Sequence, residues 1–394
     1  MKPGRARLSA VPTHEGDRVT TLELFFDLAF VFAFTQLSRL MAFEHSLLGV
    51  VQAVTILALL WWCWNSYGWL ANLAHADRGW VRSVMLIAMA SMVVVGVTVL
   101  EAYRDESGGL FAPLVFVGAY LCARIVHAVA FAAVSPPALR RRAFWTTALA
   151  VLPSGALLVA GAVLGGGWQI ALWLASAMIE PVITQRLSVG VDWHVASTAH
   201  FTERHGLIVI LAIGESIIAI GTGVAEEPMS LPILLGIGSS LVLAAGLWWA
   251  YFHRFAGQAE RALLRLPGAA RGRTARDAYT YLSLPIVSGI VFTALGIEEA
   301  LAHVGSDEPL GWFDAAALGG GVAWYVAATV LFAWRTTGQT RWVRVAGSIT
   351  AACAIPLLAR VTPLTALSIS AGLLVLMLAA DTNAFPRTKK EEQS

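Results

Sequence analysis

Several ionisable side chains of this chain stand inside runs of apolar residues, where a charged group can bind a proton, bind a cation or neutralise another charge. Glu23 and Asp27 lie four apart in Thr20-Thr21-Leu22-Glu23-Leu24-Phe25-Phe26-Asp27-Leu28, which places them on one face of a helix. Thr20 and Glu23 also have the spacing of a capping box, Thr at the N-cap and Glu at the third helical position. Glu23 therefore reads equally well as a helix cap and as a functional carboxylate. Asp27 is too deep to cap, because free backbone N–H groups end within the first turn. It must draw a donor from another helix or from water.

Glu215, in Gly214-Glu215-Ser216, falls eleven residues into a predicted span, roughly 16 Å from its inner end at the α-helical rise. Small neighbours there allow close helix packing. Arg124, in Arg124-Ile125-Val126-His127, reaches a similar depth counted from the opposite direction. An isolated charge at the centre of a bilayer costs at least about 2.5–3.5 kcal/mol, so Arg124 is expected to pair with Glu215 or Asp27. The plain structural reading of such a pair is a static ion pair. Glu180, just before Pro181, gathers with Asn65, Tyr67, Asp27 and His127 in the cytoplasmic half of the membrane.

Asp192, His194, His200, Glu203 and His205 crowd ahead of the seventh predicted span. No HExxH or comparable zinc spacing occurs among them, so no metal site is expected. Histidines at the mouth of a span with a deep carboxylate suit a proton-sensitive entrance. The alternatives are an interfacial loop whose histidines bond to backbone carbonyls, and an acid–base or metal site of an intramembrane enzyme built on His200, Glu203 and His205.

These residues have to be positioned by membrane helices. Of 394 residues, 57% are hydrophobic and 13% charged, too few charges for the skin of a soluble protein this long. The apolar residues fall into runs of about twenty, the length that crosses the hydrocarbon. The predicted spans are 21–43, 47–73, 80–102, 110–134, 143–164, 167–186, 204–225, 231–254, 277–302, 313–335, 341–359 and 363–380. With this count, 23 of the 27 Lys and Arg residues fall at the N-terminus, in even-numbered loops or at the C-terminus, which makes those sides cytoplasmic. The fallback is ten spans and a re-entrant pair formed by the two short last segments.

The expected architecture is an all-α polytopic transmembrane bundle of about 12 helices, N-in and C-in, in two parallel six-helix repeats. Residues 1–20 form a cytoplasmic segment, 21–190 and 191–380 the repeats, and 381–394 a cytoplasmic tail. The repeat rests on the echo of Leu60-Trp61-Trp62 in Leu247-Trp248-Trp249, with Glu23 and Glu203 as a weaker second echo. Two even-numbered halves share one orientation, and transporters of that design hold ligands at the interface of their halves.

Cys63, Cys122 and Cys353 lie in apolar runs without disulfide or metal spacing. No cleavable signal peptide is expected at the N-terminus, so the first span must itself direct targeting to the inner (plasma) membrane. The loop 254–276 carries six arginines among leucines and reads as an amphipathic segment on the anionic inner leaflet, with no need for nucleic acid. No P-loop and no cofactor motif is present. The partners expected are the lipid bilayer and an ion or small-molecule substrate, with a homo-oligomer left open.

The motifs Thr21-Leu22-Glu23-Leu24-Phe25-Phe26-Asp27-Leu28, His200-Phe201-Thr202-Glu203-Arg204-His205-Gly206-Leu207, Gly214-Glu215-Ser216 and Asp277-Ala278-Tyr279-Thr280-Tyr281-Leu282 resemble the bacterial low temperature requirement A (LtrA) family. The likeness runs through Leu247-Trp248-Trp249-Ala250-Tyr251-Phe252 to most of the chain, with departures at His253 and Ser283. The resemblance implies a membrane protein with a link to growth in the cold; it supplies no substrate. The layout and the acidic motif of the first span are also similar to a family of lysosomal and bacterial potassium channels, which implies ion conduction. The leading reading is a secondary transporter or ion/proton pathway using Glu215, Asp27, Arg124, Glu23, Glu203, His200, His205 and Glu180. Its rivals are the intramembrane enzyme and a non-transporting scaffold or sensor.

Overall fold

A computed structural model describes residues 10–187, 195–225 and 228–384. Asp192, His194, Glu226, Glu227 and the basic residues Arg387, Lys389 and Lys390 lie outside the described residues. Ten helical stretches among the described residues are long and apolar enough to cross a membrane. Two further helices, Gly166–Leu187 and the shorter Trp342–Leu358, stand at the remaining predicted spans. The all-helical, multi-pass membrane architecture expected from the sequence is the one the chain adopts.

The helices are α1 (Thr21–Glu44), α2 (Leu47–Leu73), α3 (Val81–Thr98), α4 (Ala112–Val134), α5 (Arg140–Leu164), α6 (Gly166–Leu187), α7 (Thr198–Gly223) and α8 (Leu231–Phe252). They are followed by α9 (Phe255–Leu264), α10 (Gly268–Ala275), α11 (Ser283–Ala302), α12 (Trp312–Ala315), α13 (Gly321–Thr337), α14 (Trp342–Leu358) and α15 (Pro363–Ala384). Single π-helical turns, Arg276–Leu282 and Ala316–Gly320, lead into α11 and α13.

By internal contact the chain divides into two compact units. The first is Met1–Leu211 with Leu266–Arg276, the second Ala212–Arg265 with Asp277–Ser394. In the first, α1 packs on α2 and α3, and α2 on α4 and α6. Phe26, Phe30, Phe34 and Leu37 of α1 are buried, whereas Phe25, Leu28 and Phe32 are exposed. Water would not tolerate that second face; acyl chains do. In the second unit α11 and α13 approach so closely that a Cβ at Gly289 would stand 2.7 Å from the Tyr325 backbone, the small-residue packing common in membrane bundles.

Two expectations need correction. The seventh helix starts at Thr198, six residues before the predicted span, because polar His200 is a helical residue satisfied inside the protein and a hydropathy reading excludes it. The segment 255–264 is the amphipathic helix expected, but its buried Phe255, Ala259 and Leu263 pack on α13 and α8, with Phe255 and Phe332 ring centres 5.1 Å apart. Its apolar stripe faces protein, so it is not a lipid-lying segment.

Candidate functional site

The N-terminal turns of α1 and α7 present two facing pairs, each spaced one helical turn. Glu23 and Asp27 come from α1, His200 and Arg204 from α7. Arg204 donates from Nη1 to Glu23 Oε2 at 2.7 Å and from Nη2 to Asp27 Oδ1 at 3.1 Å. His200 Nε2 lies 3.0 and 3.2 Å from the two Glu23 oxygens. Asp27 Oδ1 accepts a second bond, 2.8 Å, from the indole N–H of Trp64 on α2. Glu23, Asp27 and Arg204 are fully buried and His200 is 2% exposed. The guanidinium of Arg204 also lies over the rings of Trp64 and Phe26, at 5.4 and 5.7 Å, an additional attraction for a desolvated cation.

Glu23 fills both roles the sequence offered. Its Oε1 accepts from the Thr20 backbone N–H at 3.1 Å while Thr20 Oγ1 accepts from the Glu23 N–H at 3.4 Å, completing the capping box. The same carboxylate binds His200 and Arg204.

Asn72 of α2 packs against His200. Its Oδ1 accepts from the Ala196 N–H at 2.8 Å and its Nδ2 donates to the Ser197 carbonyl at 2.7 Å, so the amide orientation is fixed. Its Nδ2 also lies 3.5 Å from His200 Nδ1, an arrangement that suits Nδ1 as acceptor and Nε2–H as donor to Glu23. Two carboxylates, one guanidinium and the His200 imidazole share the site. Asp27 Oδ2 is buried with no hydrogen-bond partner. Such an oxygen is costly unless it carries a proton or meets a cation.

The segment before α1 covers this site. Pro12 and Ala74 form a bridge, His75 N–H donates to the Val11 carbonyl at 2.8 Å, and Thr13 Oγ1 donates to the Ala71 carbonyl at 3.0 Å. Glu15 accepts the N–H of Thr198, the first residue of α7, at 3.0 Å, a helix cap supplied from outside the helix. Arg271 of α10 lies 3.8 Å from Glu15. Asp17 accepts from the backbone N–H of His14 at 2.7 Å and stands 3.2 Å from His75. Those contacts, the backbone bond first, hold its carboxyl below the ordinary carboxylate range.

A second buried charge site lies among α4, α5 and α6. Arg124 donates from Nη2 to Glu180, and Ser154 donates to the other Glu180 oxygen at 3.4 Å and shares a 2.8 Å bond with Ser176. Arg124 was expected to meet Glu215 or Asp27; its partner is Glu180. The depth argument holds, since Arg124 and Glu180 are 12 and 14 residues from the starts of α4 and α6. It named the wrong acid because several acids share that depth and only packing selects among them.

Of the other predicted residues, His205 binds the Phe201 carbonyl at 2.9 Å and Asn65 at 3.3 Å. Glu203 turns to the Val19 N–H at 3.2 Å and, part-exposed, to Arg18 at 3.5 Å. His200, Glu203 and His205 therefore do not converge on one site. Glu215 is buried in α7, 17 residues from its start. Arg204, Trp64 and Asn72 were not singled out from the sequence; the cue for Arg204 was its spacing of four from His200, which matters once both are known to be helical.

A relative in Rhizobium meliloti (strain 1021), itself an uncharacterized protein, is 31% identical over 296 residues, which are 71% of this chain and 69% of that protein. No solved structure matches the chain. The profile of the bacterial low temperature requirement A protein (LtrA) matches residues 18–380. With nearly the whole helical chain inside that match, including the Glu23–Asp27 and His200–Arg204 turns, the protein belongs to the LtrA family.

Proposed function

We propose that the protein moves protons or small cations across the inner membrane, as a secondary transporter or ion pathway, with Glu23, Asp27, Arg204 and His200 as its ion-handling site. The observation that carries this reading is the buried group itself, two carboxylates, one guanidinium and an imidazole, with one carboxylate oxygen of Asp27 unpartnered; with the imidazole neutral the group is one positive charge short. One proton or one monovalent cation balances the group, and an intramembrane site that is complete only with a mobile charge is suited to exchange it. Glu215, a deep carboxylate of the second unit, is a further exchange group in the same reading. The topology that accompanies it is N-in and C-in with twelve crossings in two six-helix repeats, supported by the Lys and Arg distribution and the Leu-Trp-Trp echo.

Flux through liposomes containing the purified protein tests the proposal. Under an imposed proton or potassium gradient the wild type should conduct, and Asp27→Asn should lose the activity or its pH dependence while keeping its fold, because the amide oxygen still accepts from Trp64 and Arg204. Glu215→Gln should act in the same direction. A wild type silent to protons and to alkali cations, or an active protein indifferent to both substitutions, favours the scaffold or sensor reading and sinks this one.

A further inference from the structure

Three of the four carboxylate oxygens at the Glu23–Asp27 site are filled. A carboxylate oxygen offers about two acceptor positions. Glu23 Oε1 accepts from the Thr20 N–H at 3.1 Å and from the Thr20 hydroxyl at 2.9 Å. Glu23 Oε2 accepts from Arg204 Nη1 at 2.7 Å and lies 3.0 Å from His200 Nε2. Asp27 Oδ1 accepts from Trp64 Nε1 and from Arg204 Nη2. That leaves, among the described residues, Asp27 Oδ2 as the open acceptor of the pair, buried and without a hydrogen-bond partner. Arg204 Nε, on the guanidinium that joins the two acids, is a buried donor that also has no partner.

One open oxygen suits a proton and does not suit a metal ion. Metal cations are held by several oxygens at once, which replace the hydration shell; this site offers one, in a side chain with no exposed surface. The guanidinium bonded to Oδ1 is a fixed cation on the same carboxylate, and it repels a second one. The aromatic faces are taken as well, since Arg204 lies over the rings of Phe26 and Trp64. The other titratable groups around Asp27 are turned to partners of their own. His200 meets Glu23, His205 the Phe201 carbonyl, and Glu203 the Val19 N–H. Tyr67 packs its ring on Phe26 and donates its hydroxyl to the Ala123 carbonyl at 2.8 Å. In the covering segment Glu15 caps Thr198 and Asp17 stands on His75. The one charged residue of α3, which packs against α1, is Arg82, and it donates to the Asp77 carbonyl at 2.8 Å.

We propose that the mobile charge of this site is a proton carried on Asp27 Oδ2, and that Arg204 is the residue that excludes alkali cations. The inference rests on the ion-handling reading and narrows its substrate to H+. Oδ2 takes a proton from the aqueous phase on one side, which forms the O–H bond and neutralises the carboxylate; release to the other side breaks that bond and restores the charge. Trp64 and Arg204 hold Oδ1 in both forms, so the proton has one oxygen to occupy.

Ion replacement in proteoliposomes of the full-length protein, with thiocyanate as the permeant counter-ion, tests the assignment. Proton flux read by an internal pH dye should be unchanged when potassium and sodium are replaced by N-methyl-D-glucamine, and Asp27→Asn should lower it at least about tenfold. Infrared difference spectra across a pH titration, wild type against Asp27→Asn, should show a protonated carboxyl band that depends on Asp27 and is indifferent to alkali cations. Arg204→Gln removes the fixed cation and should admit a potassium or sodium flux that the wild type lacks. Alkali flux in the wild type that disappears in Asp27→Asn overturns the proton assignment and leaves the ion-handling reading standing, whereas silence to protons and alkali cations alike sinks both. Proton flux without an Asp27-dependent carboxyl band, or intact in a folded Asp27→Asn, puts the proton on another group and overturns the assignment. A folded Arg204→Gln still closed to alkali cations overturns the role of Arg204. If Arg204→Gln fails to fold, wild-type ion replacement and the infrared band decide.

Discussion

Two buried charge sites of the first unit, built from similar residues, differ in their balance. Arg124 and Glu180 are matched one to one, and serine hydroxyls attend the carboxylate. At the other site Arg204 pairs with both Glu23 and Asp27, and the His200 imidazole lies on Glu23. Both are as deeply buried as any group in the protein, so depth and burial do not distinguish them. What separates them is the set of fixed charges: one acid and one guanidinium in the first, two acids with one guanidinium and an imidazole in the second. The first reads as a brace, the second as the proposed ion-handling site.

The largest test of that contrast is at the brace. Arg124→Leu should destabilise the protein by about 3–5 kcal/mol, because it strands the Glu180 charge in the interior. Replacing both residues, Arg124→Leu with Glu180→Gln, should recover most of the loss. Chemical denaturation in detergent measures both, and a double variant no better than the single would show that the pair is not the compensation. At the proposed ion-handling site the expected signature is reversed. Asp27→Asn should lower liposome flux at least about tenfold, equivalent to roughly 1.4 kcal/mol of barrier, with a smaller change in unfolding midpoint; a large loss of stability with unchanged flux would make this site a brace too.

Thr20→Val sharpens the comparison by separating the two roles of Glu23. It removes the cap hydroxyl and should cost about 1 kcal/mol of stability, leaving flux intact because Arg204 and His200 keep the carboxylate in place. Reduced flux in a stable Thr20→Val protein would tie cap and ion handling together. The smallest effect belongs to the covering segment. The Asp17 carboxyl is held below its ordinary value of 3.8, so its contribution is present above that value and is lost as pH falls through the lowered folded value. Asp17→Asn should cost a few tenths of a kcal/mol at neutral pH, as for other part-exposed pairs. Stability curves of the wild type and Asp17→Asn should converge in acid, and curves that stay parallel down to pH 2 would remove Asp17 from the latch.

Much of the fold was legible because a bilayer leaves a chain few options: long apolar runs must be helices. The capping box at Thr20 and Glu23 was legible because it is local in sequence. The need of Asp27 for a donor was legible too, but the donors themselves, Trp64 and Arg204, are 37 and 177 residues away, and no local pattern points to them. Arg204 was obscured because the predicted span opened on it, which left His200, one turn earlier on the same face, in the loop before the helix. Arg124 illustrates the opposite limit: its depth was readable, and its partner was not, since several acids share that depth and packing alone selects one. The amphipathic stripe of α9 was equally readable, whereas whether lipid or protein would cover it depended on α13, far along the chain.

The separation of Glu23 from Arg204, 181 residues, also sets an order of events during synthesis. At ribosomal rates of about 5–20 residues per second, α1 leaves the ribosome some 9–36 s before the arginine exists. For that interval its two acids lack the guanidinium they finally meet. The first helix must wait either with protons on its carboxyls or at the lipid–water boundary, and it settles to full depth when α7 is delivered beside it. Stalling translation between the two helices should therefore leave an early helix more accessible to water-soluble reagents than the finished protein allows.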